Sequence, residues 1–136
     1  MPTVSPVQTS SVQSAISRAA QRTGVDFDYL VAQARLESGL DPSAKALTSS
    51  ASGLYQFIDS TWLNTLDRHG AKHGMAWADD AIGPNGRVAD PATRSHLLSL
   101  RYDADTASLM AAELTRDNAN GLRAHLGREP QPPELY

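Results

Sequence analysis

Two features between Val31 and Phe57 carry residue types that could do chemistry together. The first is Glu37. It follows Leu30 and Ala34 at i, i+4 and i+7, so helical spacing sets a carboxylate in line with an apolar stripe. Desolvation there would favour the neutral acid, the form a general acid must hold near neutral pH. The plainer reading is a surface glutamate near a helix C-terminus, a position the helix dipole disfavours. The second feature is the turn Gly53-Leu54-Tyr55-Gln56. Glycine there permits positive φ or close approach of a ligand. Tyr55 offers an apolar ring face. Gln56 offers one acceptor and two donors, suited to the amide and hydroxyl groups of a sugar chain. The competing reading is a loop with Tyr55 and Phe57 tucked into the core.

The remaining polar residues offer less. His69 and His73 stand four apart, but Gly70 and Gly74 interrupt any helix that would align them as metal ligands. His96 and His125 are isolated, and all four read as surface or locally hydrogen-bonded groups. There are no cysteines, so thiolate metal sites and disulfides are excluded. Ser52-Gly53 lacks the flanks of a nucleophile elbow, and no glycine loop cradles a phosphate. No metal and no cofactor is expected.

The elements that must position Glu37 and the turn read as helices. Residues 1–10 are rich in Pro, Ser, Thr and Gln and read as a flexible lead-in to one domain over 11–136. Ser10 or Ser11 caps a first helix through Val12, Ile16, Ala19 and Ala20, stopped by Gly24. Asp26 caps a second from Phe27, ended by Gly39 and Pro42. Residues 40–56 form a structured loop, and Asp59 or Ser60 caps a third helix ending near Gly70. Residues 70–90 read as a long irregular connection, of the kind that is usually functional or mobile. Asp90 and Pro91 start another helix, Asp103 caps the next as far as Asn118, and a short one follows at Leu122–Leu126. No stretch alternates with period two. The spacing predicts an all-α protein, a compact orthogonal bundle of about six or seven helices.

Composition narrows the function. Among 136 residues, 40% are apolar and 20% charged, which describes an ordinary globular domain. The net charge of −3, without a basic run, argues against nucleic acid as a partner. No apolar run approaches the roughly 20 residues of a membrane span. The N-terminal residues lack the charged head and apolar middle of a signal peptide, so the export route is not legible.

Taken together, VDFDYLVAQARLESGLDPSA, then SSASGLYQF, then STW resemble the soluble lytic transglycosylase domain, distantly related to goose-type lysozyme. That family runs from a helix ending in Glu-Ser to an Asn/Asp-Pro-x-Ala turn, a Gly-Leu-Met-Gln turn and a capped helix. Here these are Glu37-Ser38, Asp41-Pro42-Ser43-Ala44, Gly53-Leu54-Tyr55-Gln56 and Ser60-Thr61. The resemblance covers Ser11 to Trp62 well and the rest loosely. Tyr55 replaces the commonest methionine, and Ser50-Ala51 replaces Gly-Ala. The family's later Ala-Tyr-Asn motif has no counterpart inside the chain, unless Tyr136 is its tyrosine in a sequence shortened at the C-terminus.

The resemblance implies a lysozyme-like fold and a cleft that binds peptidoglycan glycan strands. It makes Glu37 the catalytic acid and base, with Ser38, Gly53, Tyr55, Gln56 and Tyr136 as substrate-binding residues. It implies cleavage of the bond between N-acetylmuramic acid and N-acetylglucosamine with closure of a 1,6-anhydro ring. The alternatives are a muramidase, for which Asp59, Asp79 or Asp80 could supply a second carboxylate, and a non-catalytic wall-binding or assembly module. The implied place is the bacterial periplasm or cell envelope, with a secretion or flagellar apparatus as a further partner to consider.

Overall fold

A computed structural model describes residues 6–126, with side chains over 9–120. Six α-helices run through the described residues: α1 (Pro6–Thr23), α2 (Phe27–Ser38), α3 (Asp59–His69), α4 (Ala76–Ala81), α5 (Pro91–Ser99) and α6 (Ala104–Leu126). Single 3-10 turns follow α3, α4 and α5 at Gly70–His73, Pro84–Gly86 and Leu100–Tyr102. No strand forms among the described residues, only isolated antiparallel bridges at Lys45–Ser52 and Ser52–Phe57. The all-α expectation holds.

Apolar spacing explains the packing. In α1, Val12, Ala15, Ile16 and Ala19 recur at i, i+3, i+4 and i+7 and are all buried, and this stripe lies mainly against α6. Leu30, Val31 and Ala34 of α2, Leu63 and Leu66 of α3, and Met110 of α6 complete the core. Trp62 sits fully buried at its centre, donating its indole N–H to the Leu97 carbonyl (2.8 Å) and meeting Phe57 edge-on at 4.9 Å between ring centres.

Several boundaries differ from the sequence reading. Helix α1 already includes residues 6–10, inside the stretch read as a lead-in, and proline at position 6 suits an early helical turn. Helix α3 begins at Asp59 with Ile58, which has no polar side chain, at the N-cap, so neither Asp59 nor Ser60 caps it; the Asp59 carboxylate pairs with Arg101 (2.8 Å). The connection over 70–90 carries two 3-10 turns and α4 rather than irregular chain. The two helices expected after Asp103 are one continuous α6. The caps at Asp26, Asp90 and Asp103 form as expected, each carboxylate accepting a backbone N–H three residues on.

Candidate active site

The C-terminal end of α2 sets the site. Gly39, with φ +66°, ends the helix by returning its N–H to the Arg35 carbonyl (2.9 Å), and Leu40 N–H reaches the Ala34 carbonyl. The stripe that enters the core runs Leu30, Ala34, Ser38 at steps of four, not Leu30, Ala34, Glu37. The expectation that Glu37 lies on the apolar face is therefore corrected: Glu37 is exposed, one position round the helix from Ser38. It opens onto a cavity of about 210 Å³.

Ser38 is placed differently from the substrate-binding position that the resemblance implied. It is buried and does not line the cavity. Its hydroxyl donates to the Leu54 carbonyl (2.7 Å) and accepts from the Asp41 N–H (3.1 Å). The residue after the carboxylate thus ties α2 to the Gly53–Gln56 turn, and fixes the distance between the two features the sequence singled out.

Around that turn every backbone choice has a cause. Gly53 has φ +84°, and a Cβ there would collide with the Arg101 carbonyl oxygen. Tyr55 is buried, donating its phenol to the Leu30 carbonyl (2.8 Å), and is among the residues that line the cavity. Burial pushes the Tyr55 phenol above its ordinary range, with Ser108 pulling it back only in part. Gln56 holds φ +53°, a conformation a non-glycine residue keeps only when its surroundings enforce it. The enforcement is its own side chain, whose Nε2 donates to Gly53 O (2.9 Å) and Ala44 O (3.1 Å). Both amide protons are spent inside the protein, so Gln56 presents only its Oε1 to a ligand.

Residues not singled out in the sequence complete the site. Gln33 lies one helical turn before Glu37 and also lines the cavity; spacing counted back from Glu37 could have found it. Ile58 and Thr61 contribute from the start of α3, and Ala111, Leu114, Thr115 and Asn118 from α6. Those α6 residues carry no local signature, because the fold alone brings them opposite Glu37. Arg101 stands behind the turn, buried, with Nη1 donating to the carbonyls of Ser50 (2.8 Å) and Phe57 (3.0 Å) and pairing with Asp59.

Glu37 is the only carboxylate among the described residues that line the cavity. Asp59 is held by Arg101 and, at 3.6 Å, by Arg94. Asp79 shares a hydrogen bond with Asp67, whose carboxyl that contact pushes above its ordinary range, and Asp80 is exposed elsewhere. Of the two readings open for His69 and His73, surface or hydrogen-bonded, the structure shows the second. Their side chains are buried against α6, with Nε2 meeting Asp117 and Glu113 at 2.8 Å. No set of three His, Asp or Glu side chains among the described residues is placed to hold a metal. Tyr136 lies outside the described residues.

Comparison with known protein families matches residues 14–85 to the transglycosylase SLT domain, over more than half of the chain. The match includes α2, the Gly53–Gln56 turn and α3, and stops before α5 and α6.

Proposed function

The chain belongs to the transglycosylase SLT domain family, and from that premise we propose that it cleaves peptidoglycan glycan strands between N-acetylmuramic acid and N-acetylglucosamine, with Glu37 as the acid and base. One observation carries the reading: among the described residues a single carboxylate opens onto the cavity, with a polar turn on one side and apolar walls around it.

The chemistry follows from that arrangement. Glu37 protonates the glycosidic oxygen, the C1–O bond to the leaving sugar breaks, and C1 becomes oxocarbenium-like. Glu37, now a carboxylate, takes the proton of the sugar's own C6 hydroxyl, whose oxygen bonds to C1 and closes the 1,6-anhydro ring. One group performs both transfers, and no water is consumed. A glycan seated over Tyr55, Ile58 and Leu114 would exclude water from Glu37, and exclusion of water favours the protonated carboxyl that the first step needs.

Hydrolysis of the same bond ordinarily takes two carboxylates flanking it. Asp59 is engaged by two arginines, and neither Asp79 nor Asp80 lines the cavity, which favours ring closure over the muramidase alternative. The bacterial cell envelope, where members of this family typically act, is the place we assign to the reaction. No helix among the described residues is long and apolar enough to cross a membrane. The test is release of soluble muropeptides from purified peptidoglycan by the protein and by Glu37→Gln. The proposal expects release by the first and none by the second. Binding without release by either would leave only the non-catalytic wall-binding module.

A further inference from the structure

Two half-buried amides in the cavity, Gln33 on α2 and Asn118 on α6, use none of their side-chain hydrogen-bonding groups among the described residues. This sets them apart from their neighbours. The Gln56 amide is committed to Gly53 and Ala44, the Thr115 hydroxyl to the Ala111 carbonyl, and the Tyr55 phenol to Leu30. Amides without a partner among the described side chains and backbone keep their donors and acceptor for a ligand bearing matching groups.

The surroundings of Gln33 say which groups match. It stands four residues before Glu37, on the same face of α2, and side chains at that spacing lie about 5–6 Å apart at Cβ. That is close to the reach of one sugar unit. Apolar surface from Tyr55, Ala111 and Leu114 shares the cavity with it. A hydroxyl would satisfy the amide but leave the apolar wall without a partner. An acetamido group offers both, with an N–H and a C=O to pair reciprocally with the glutamine amide and a methyl to lie on the wall.

We infer that Gln33 is a specificity residue, which reads the 2-acetamido group of a sugar beside the bond that Glu37 attacks. The inference rests on the glycan-cleaving reading of the cleft. Its consequence is discrimination: acetylated glycan binds, and glycan deacetylated to the free amine binds poorly, because a cationic ammonium cannot make the reciprocal pair.

Calorimetric titration tests this in Glu37→Gln protein, which keeps oligomers intact. The probes are an N-acetylglucosamine tetramer and the corresponding glucosamine tetramer at slightly acidic pH. Adding Gln33→Leu should weaken binding of the acetylated tetramer by about tenfold, the order of one hydrogen bond lost with its partner left unpaired, and leave the amine tetramer unchanged. Adding Gln33→Glu should shift preference toward the amine, since the new carboxylate pairs with it. An unaltered preference in both variants would overturn the inference, as would an equal loss on both probes, which signals a structural role. If the parent bound neither tetramer, the cleft reading itself would fall, and the inference with it.

Discussion

The role proposed for Glu37 needs an accessible carboxylate, and Ser38 takes the buried position beside it. A proton-transferring carboxylate must reach its substrate, whereas a small hydroxyl can be satisfied inside the core by Leu54 and Asp41. Glu37→Gln should therefore abolish cleavage while changing stability by no more than about 0.5 kcal/mol, as an exposed substitution. A matched pair of thermal melts and turbidity assays checks both halves. Gly53 is the opposite case, where the fold has no tolerance. Gly53→Ala forces a side chain into a left-handed φ and against the Arg101 carbonyl, so it should cost more than about 1–2 kcal/mol in denaturant unfolding. Tyr55→Phe removes only the phenol's bond to a carbonyl in α2, and should cost about 0.5–1.5 kcal/mol by the same measurement. The Glu-Ser and Gly-Leu-Tyr-Gln motifs were legible at this scale because they are contiguous. Which of Glu37 and Ser38 faces the core was not, because i+7 and i+8 from Leu30 both fall within the width of an apolar stripe.

At the scale of elements, the loop that forms one wall of the cleft depends on a residue far along the chain. Arg101, in the 3-10 turn after α5, holds the carbonyls of Ser50 and Phe57 and the carboxylate of Asp59, so the turn and the start of α3 are fixed from behind. Arg101→Ala should destabilise the protein by on the order of 2–3 kcal/mol, since it removes charge-assisted bonds to two carbonyls and to Asp59, although Ser52 still donates to both carbonyls. Hydrogen exchange should show the amides of 50–57 losing protection ahead of those in α1 and α6. Uniform loss across the chain would show instead that the loop is not a separate unit. The contrast with the caps is instructive. Asp26, Asp90 and Asp103 act on N–H groups three residues away, so sequence reveals them. Arg101 acts across 44 and 51 positions, and nothing in its neighbourhood announces the partners. The same distance hid the α6 face that closes the cleft over Glu37. It also hid the burial of His69 and His73, whose acidic partners lie 48 and 40 residues on.

At the scale of the whole molecule, α6 has two faces with separate duties. Thr115 and Asn118 look into the cleft, while Glu113 and Asp117 tie the helix to the end of α3 and the 3-10 turn that follows it. Glu113 is almost wholly buried. Burial alone would push its carboxyl up, but the hydrogen bond to His73 and the charges of Lys72, His69 and Arg116 together draw it below the ordinary 4.5. A group lowered in the folded state stabilises the fold above its unfolded value, and that contribution is lost as pH falls through the folded value. Glu113→Gln should therefore cost roughly 3 kcal/mol or more at neutral pH, by leaving a buried ionic cluster without its centre. The gap between variant and parent should narrow in thermal melts as pH falls below the ordinary 4.5. A gap independent of pH would remove the carboxylate from the acid limb of stability. The central claim, however, is chemical. One carboxylate in a cavity with no second one among the described residues should close a sugar ring rather than add water, and mass spectrometry of muropeptides from digested peptidoglycan reads this directly. The account predicts products ending in 1,6-anhydromuramic acid, lighter by one water than hydrolysed ends and absent from a Glu37→Gln digest. Products carrying only reducing ends would contradict it.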